Sequence, residues 1–105
     1  MRKPDLLPTL YLDVFNNFSD GIKSSVQNFV NRGYKNFSLD VSALALYCIT
    51  LLRNNGWSDM EMSEDILNFM RDAVIAPTFY FMGINADCSW EINSTTSFIL
   101  LITIN

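Results

Sequence analysis

The stretch that decides the fold is the C-terminal run SFILLITI, from Ser97 to Ile104. It is a continuous apolar segment rich in β-branched residues, which favour strands. A strand of this kind is normally buried on both faces. The run therefore predicts a central strand beneath helices or, if it lies at a sheet edge, a strand that pairs across a dimer or with a partner.

The segments just before this run also favour strands. Thr78 to Ile84 is aromatic, and Cys88 to Ile92 alternates between apolar and polar residues. Turn-forming residues at 85–87 and 93–96 separate the three segments. This pattern predicts three antiparallel strands at the C-terminal end of the chain.

Helical periodicity dominates the first half of the chain. From Thr9 to Arg32, apolar residues recur every three or four positions. Polar residues weaken the middle of this segment, so one bent helix and two shorter helices are both compatible with it. We prefer one helix because its apolar face stays in phase, and Gly33 can end it in a left-handed conformation.

A second helix is predicted to begin at Ser38 or Asp40. Val41 to Leu52 is apolar on nearly all sides, which is typical of a central, buried helix. We expect the side chains of Leu44, Cys48 and Leu51 to be nearly inaccessible.

A third helix follows the Asn55-Gly56 stop signal. Ser58 and Glu61 have the spacing of a capping box, and Trp57 and Met62 that of a hydrophobic staple. Pro77 predicts that this helix ends near residue 75. The expected fold class is α+β, with three N-terminal helices, the first possibly split, packed on a small C-terminal three-stranded antiparallel sheet in a single domain, residues 1–105.

Acidic and amide side chains share one side of the third helix when they are projected at 100° per residue. This acidic stripe consists of Glu61, Glu64, Asp65, Asn68 and Asp72. Acids in a first helical turn favour the macrodipole, and an amphipathic helix needs a solvated face, so the stripe has an ordinary structural explanation. A field of one sign also steers an oppositely charged partner, and we predict the stripe as a partner-binding surface.

The overall charge narrows the choice of partner. The chain has a formal net charge of −4, and its seven lysines and arginines are scattered. Binding to nucleic acid or to an anionic membrane requires clustered basic residues, so both are disfavoured. A basic protein is the natural complement of this chain.

Sequence motifs for catalysis or metal binding are absent. The chain contains no histidine, which excludes the Ser-His-Asp and Cys-His arrangements within it. Two cysteines alone cannot form a zinc site, and no glycine-rich phosphate loop occurs. We therefore predict a protein that is not an enzyme, with no catalytic, metal-binding or cofactor-binding residues. We also expect reduced thiols and, as no signal peptide is seen, a cytoplasmic location.

Two functional hypotheses follow. In size, charge and lack of catalytic motifs, the chain is similar to bacterial immunity proteins and antitoxins, which occlude nuclease toxins. This profile predicts a small acidic inhibitor that neutralises a basic protein partner. The alternative is a structural or assembly subunit that forms a homo-oligomer through its apolar C-terminal strand. Affinity that falls steeply with salt favours the first hypothesis, and a stable oligomer favours the second.

Overall fold

The computed structural model describes residues 8–56, 64–94 and 96–105. Its elements, in chain order, are helix α1 (Pro8–Asn31), strand β1 (Asn36–Asp40), helix α2 (Ser42–Asn54), helix α3 (Glu64–Met70), a π-helical segment (Arg71–Ile75), helix α4 (Ala76–Met82), and strands β2 (Ala86–Ser94) and β3 (Ser97–Ile104). The predicted α+β class is confirmed: helices pack with a three-stranded antiparallel sheet. The predicted capping box and staple at residues 57–62 lie outside the described residues.

Helix α1 is one continuous helix, as preferred from its periodicity. Its buried residues recur at intervals of four or eight, at Leu10, Val14, Ile22 and Val26. This spacing keeps them on one face toward the core. Gly33 ends the segment with φ of 84°, a left-handed conformation that costs glycine little.

The sheet has the strand order β1-β3-β2, so the C-terminal strand is central. The inward side chains of β3, at Phe98, Leu100 and Ile102, are buried. The alternative in which β3 offers a free edge to a partner is therefore wrong, because β1 and β2 pair with both of its edges.

One strand of the sheet was assigned to the wrong part of the chain. The prediction of a strand over Thr78 to Ile84 is wrong, since Ala76–Met82 forms helix α4. The missing strand is β1, where a helix start was expected at Ser38 or Asp40. Its five residues alternate polar and apolar side chains, a period-two signal that the helical interpretation overlooked.

Pro77 does not end the third helix. In a regular α-helix its ring would collide with the carbonyl of Ala73, and it has no N–H to donate. The chain instead widens into the π segment, where the Ala76 amide donates to the Arg71 carbonyl, five residues back. Pro77 then lies in the first turn of α4, where a missing N–H is tolerated.

The core lies between the helices and the inner face of the sheet. Leu44 and Cys48 of α2 are buried as predicted, whereas Leu51 is only partly buried and Leu52 takes the deeper position. Thr78 is buried as well, and its hydroxyl forms a hydrogen bond of 2.9 Å with that of Ser19. This bond ties α4 to α1 and satisfies a polar group that is costly to bury alone.

Candidate functional site

The acidic stripe is only partly within the described residues. Glu61 lies outside them, and of Glu64 the structure describes the backbone position in α3. Asp65 is partly buried, while Asn68 and Asp72 are exposed. The stripe as a binding surface therefore stays a prediction.

Two features argue against the stripe as one continuous acidic surface. Asp72 accepts an ion-paired hydrogen bond of 3.1 Å from Nε of Arg71, which partly neutralises its charge. Asp72 also lies in the π segment, where each residue turns through less than 100°. The helical projection that defined the stripe therefore applies only to α3.

A second acidic surface is formed by the outer face of the sheet. Strand alternation and the pairing register place nine side chains on this face, opposite the core. The outer face consists of Asn36, Ser38 and Asp40 from β1, Ile99, Leu101 and Thr103 from β3, and Asp87, Ser89 and Glu91 from β2. Eight of the nine are exposed, and Ile99 is partly exposed.

The outer face has an apolar centre and a negative rim. Ile99 pairs with Asp40 on one side and with Glu91 on the other. These two carboxylates are carried by strands roughly 10 Å apart, twice the usual strand spacing. Leu101 lies two residues further along β3, on the same face, and is 38% exposed. Asp87 adds a third carboxylate, and none of the nine residues is basic.

The backbone holds Asp40 at a defined position. Its carboxylate accepts a hydrogen bond of 2.9 Å from the backbone amide of Ser42, at the first turn of α2. Hydrogen bonding from the Ser42 hydroxyl, and then from its amide, lowers the pKa of Asp40 below the usual aspartate value. The Ser42 hydroxyl also accepts the Phe98 amide at 2.9 Å, which links this corner to β3. Asp40 is therefore ionised at neutral pH, and Ser42 at the start of α2 holds its carboxylate in place.

Sequence reasoning missed this surface because it missed β1. Without that strand, the sequence-based interpretation assigned Asp40 to the start of a helix, and no pattern indicated that it lies next to Ile99. The alternation in NFSLD, residues 36–40, was the available signal.

An exposed aromatic pair lies at the end of α4. Tyr80 is 81% exposed and Phe81 is 75% exposed, and their ring centroids are 5.9 Å apart. The ring of Phe81 also lies 6.1 Å from that of Phe15 on α1. The pair was expected inside a strand, so its exposure was not predicted.

Three further findings concern metal sites, membrane-spanning helices and similarity to known proteins. Within residues 8–56, 64–94 and 96–105, no group of three or more Cys, Asp or Glu side chains is placed to hold a metal ion. Among the described helices, none combines the length and the apolar character needed to cross a bilayer. Comparisons with protein-family models, curated proteins and solved structures found no match for the chain.

Proposed function

We propose that this protein is a stoichiometric binding protein that occludes a basic protein partner with the outer face of its sheet. The observation that carries the proposal is the composition of that face: Asp40 and Glu91 flank Ile99, Asp87 lies on the same face beside Thr103, and none of the nine side chains is basic. The described lysines and arginines lie in helices or in the connection between α1 and β1.

The chemistry of the outer face supports a protein partner over a small ligand. An apolar centre with a polar rim is the usual organisation of a protein–protein contact. Carboxylates at the rim attract a positive surface and accelerate encounter, while the aliphatic centre contributes burial. Strands hold these groups more rigidly than loops would, which lowers the ordering cost of binding.

The class of partner follows from the charge. A surface that normally receives nucleic-acid phosphates is basic, and carboxylates can occupy it in place of phosphates. We therefore propose a non-enzymatic, cytoplasmic inhibitor of the bacterial immunity or antitoxin type, with a nuclease toxin as its partner. Its mechanism is occlusion of the partner's substrate-binding surface.

The test compares two variants that remove the same amount of charge. The outer-face variant carries Asp40→Asn, Asp87→Asn and Glu91→Gln. The stripe variant carries Glu64→Gln, Asp65→Asn and Asp72→Asn. Each is three charges less negative than wild type, so a difference between them reports the location of the interface rather than the net charge.

Both variants and wild type are used to capture partners from the native host, and the affinity of the captured protein is measured at two salt concentrations. We expect a basic partner, one-to-one binding and inhibition of its activity. The outer-face variant should bind at least about ten-fold more weakly, about 1.4 kcal/mol, with a smaller salt dependence. The stripe variant should stay close to wild type.

Three outcomes contradict parts of the proposal. Weaker binding by the stripe variant alone moves the interface to the acidic stripe. Equal binding by all three proteins removes the electrostatic mechanism. An acidic partner, or one whose activity is unchanged in the complex, overturns the proposed function.

Self-association is a second candidate function, supported by the aromatic pair Tyr80 and Phe81. Aromatic side chains with this much exposure are common anchors of protein contacts. The test is the molar mass of the isolated chain in solution over a range of concentrations, for wild type and for Phe81→Ser. A dimer that Phe81→Ser dissociates favours a structural subunit, and a monomer at all concentrations excludes it.

A further inference from the structure

A groove with a volume of about 300 Å³ lies between α1 and the corner where β1 meets α2. Its apolar lining includes Phe18 and Ile22 from α1 and Leu44 from α2. The lining also includes Asn17 and Asp40, and none of its described residues is basic. The groove therefore has an apolar wall and adjoins Asp40, whose carboxylate is held by the Ser42 amide at the edge between the groove and the outer face.

Gly21 keeps the α1 side of this groove open. It lies in the interior of α1, where glycine costs about 1 kcal/mol relative to alanine. A Cβ atom placed on Gly21 would meet nothing within 4 Å, so no close contact within the described structure requires glycine there. A larger side chain at this position would instead occupy the groove.

We propose that the groove receives an arginine side chain of the basic partner, an inference that rests on the proposed function. The aliphatic stem packs over Gly21 and Ala43, which line the groove and are exposed, as long cationic side chains do on apolar surfaces. The guanidinium group lies near the ring of Phe18 and forms a charge-assisted hydrogen bond with Asp40. Arginine suits this wall better than lysine because its planar, weakly hydrated cation stacks on aromatic rings.

Asp40 makes the groove continuous with the outer face. It belongs to the nine side chains of that face and also lines the groove. A partner seated on the outer face is therefore positioned to extend one side chain around the corner into the groove. The net charge of −4 favours a cation in this position.

The test uses small probes and needs no partner. The ¹⁵N-labelled protein is titrated with n-butylguanidinium, n-butylammonium and neutral n-butylurea, and amide shifts are followed by NMR. We expect saturable shifts from n-butylguanidinium that concentrate at residues 17–25 and 39–44. Binding of n-butylammonium should be several-fold weaker, and that of n-butylurea weaker still.

Two variants locate the binding. Gly21→Leu should fill the groove and abolish the saturable shifts, and Asp40→Asn should weaken n-butylguanidinium binding at least about ten-fold. Asp20→Asn, which removes an exposed carboxylate outside the groove lining, is the matched control and should bind like wild type. Circular dichroism of each variant confirms that it is folded.

Unsaturable shifts spread over the surface, or equal binding by Gly21→Leu, overturn the groove as a site. Equal affinity for the neutral probe overturns the role of Asp40, and equal or tighter binding of n-butylammonium overturns the assignment to arginine. These failures are distinct from a failure of the proposed function, because a basic partner captured through the outer face remains detectable when the groove is filled.

Discussion

The thiol of Cys48 provides a quantitative test of the core. Cys48 is fully buried in α2, and burial raises the pKa of its thiol from 9.0 to about 12. The folded state therefore holds the neutral thiol more tightly than the unfolded chain does. The contribution to the free energy of unfolding is fully present below pH 9 and is lost as the pH rises toward 12.

The size of the effect follows from the two pKa values. The folded and unfolded pKa values differ by about 3, which corresponds to about 4 kcal/mol at 1.36 kcal/mol per pKa unit. At about pH 10.5, which is about 1.5 pH units above the unfolded value, roughly 2 kcal/mol is lost. This is a large part of the 5–15 kcal/mol typical of a small domain.

The measurement is urea denaturation at pH 8 and at about pH 10.5. It compares Cys88→Ala, in which Cys48 is the only thiol, with the double variant Cys48→Ala/Cys88→Ala. The double variant should be less stable at pH 8 because it leaves a small cavity, but it should lose about 2 kcal/mol less on going to the higher pH. Tyr47 is present in both proteins, and its pKa is raised chiefly by its hydrogen bond to Asp13, so most of its contribution cancels in the comparison. The charge of the Cys48 thiolate also raises the Tyr47 pKa, and that part is counted with Cys48. Parallel pH profiles, or rapid reaction of Cys48 with a thiol reagent in the native state, would refute its burial in the core.

Three further predictions concern stability, each measured by urea denaturation at neutral pH. Leu44→Ala should cost about 2–5 kcal/mol because Leu44 is buried, whereas Leu46→Ala on the exposed side of the same helix should cost less than about 1 kcal/mol, and equal costs would contradict the orientation of α2. Gly21→Ala should stabilise the protein by about 0.5–1 kcal/mol because its Cβ atom meets nothing, and a loss of stability would indicate a contact that the structure does not show. Ser19→Ala should cost about 1–3 kcal/mol because it leaves the buried Thr78 hydroxyl without its partner. The double variant Ser19→Ala/Thr78→Val should recover much of that loss, because residues joined by a hydrogen bond have non-additive effects on the free energy of unfolding; additive effects would contradict the bond.

The sequence was most informative where one period extends over a long segment. Periodicity over α1 correctly predicts a single helix, and the apolar run at Ser97–Ile104 correctly predicts a central strand. The expectation that this strand is buried on both faces is wrong, because only its inward side chains are buried and Leu101 is 38% exposed. It was least informative in short segments. Five residues are enough for β1, but so short a segment carries little propensity, and its pairing with β3 depends on residues more than fifty positions away. The outer face combines three strands, and no single stretch of sequence contains its pattern.

The helix that continues past Pro77 shows how tertiary burial decides between local signals. Proline inside a helix costs about 3 kcal/mol, so the local sequence favours ending the helix before Pro77. The π segment moves Pro77 into a first turn, where most of that cost disappears. Continuing the helix buries Phe79, worth about 1.5–3 kcal/mol, and allows Thr78 to bond with Ser19. The same continuation carries the chain to Gly83, whose φ of 70° ends α4 and turns the chain toward β2. Strand β2 can then pair with β3 and bring Glu91 to the side of Ile99 opposite Asp40, so the negative rim of the outer face depends on a helix that local rules would have ended.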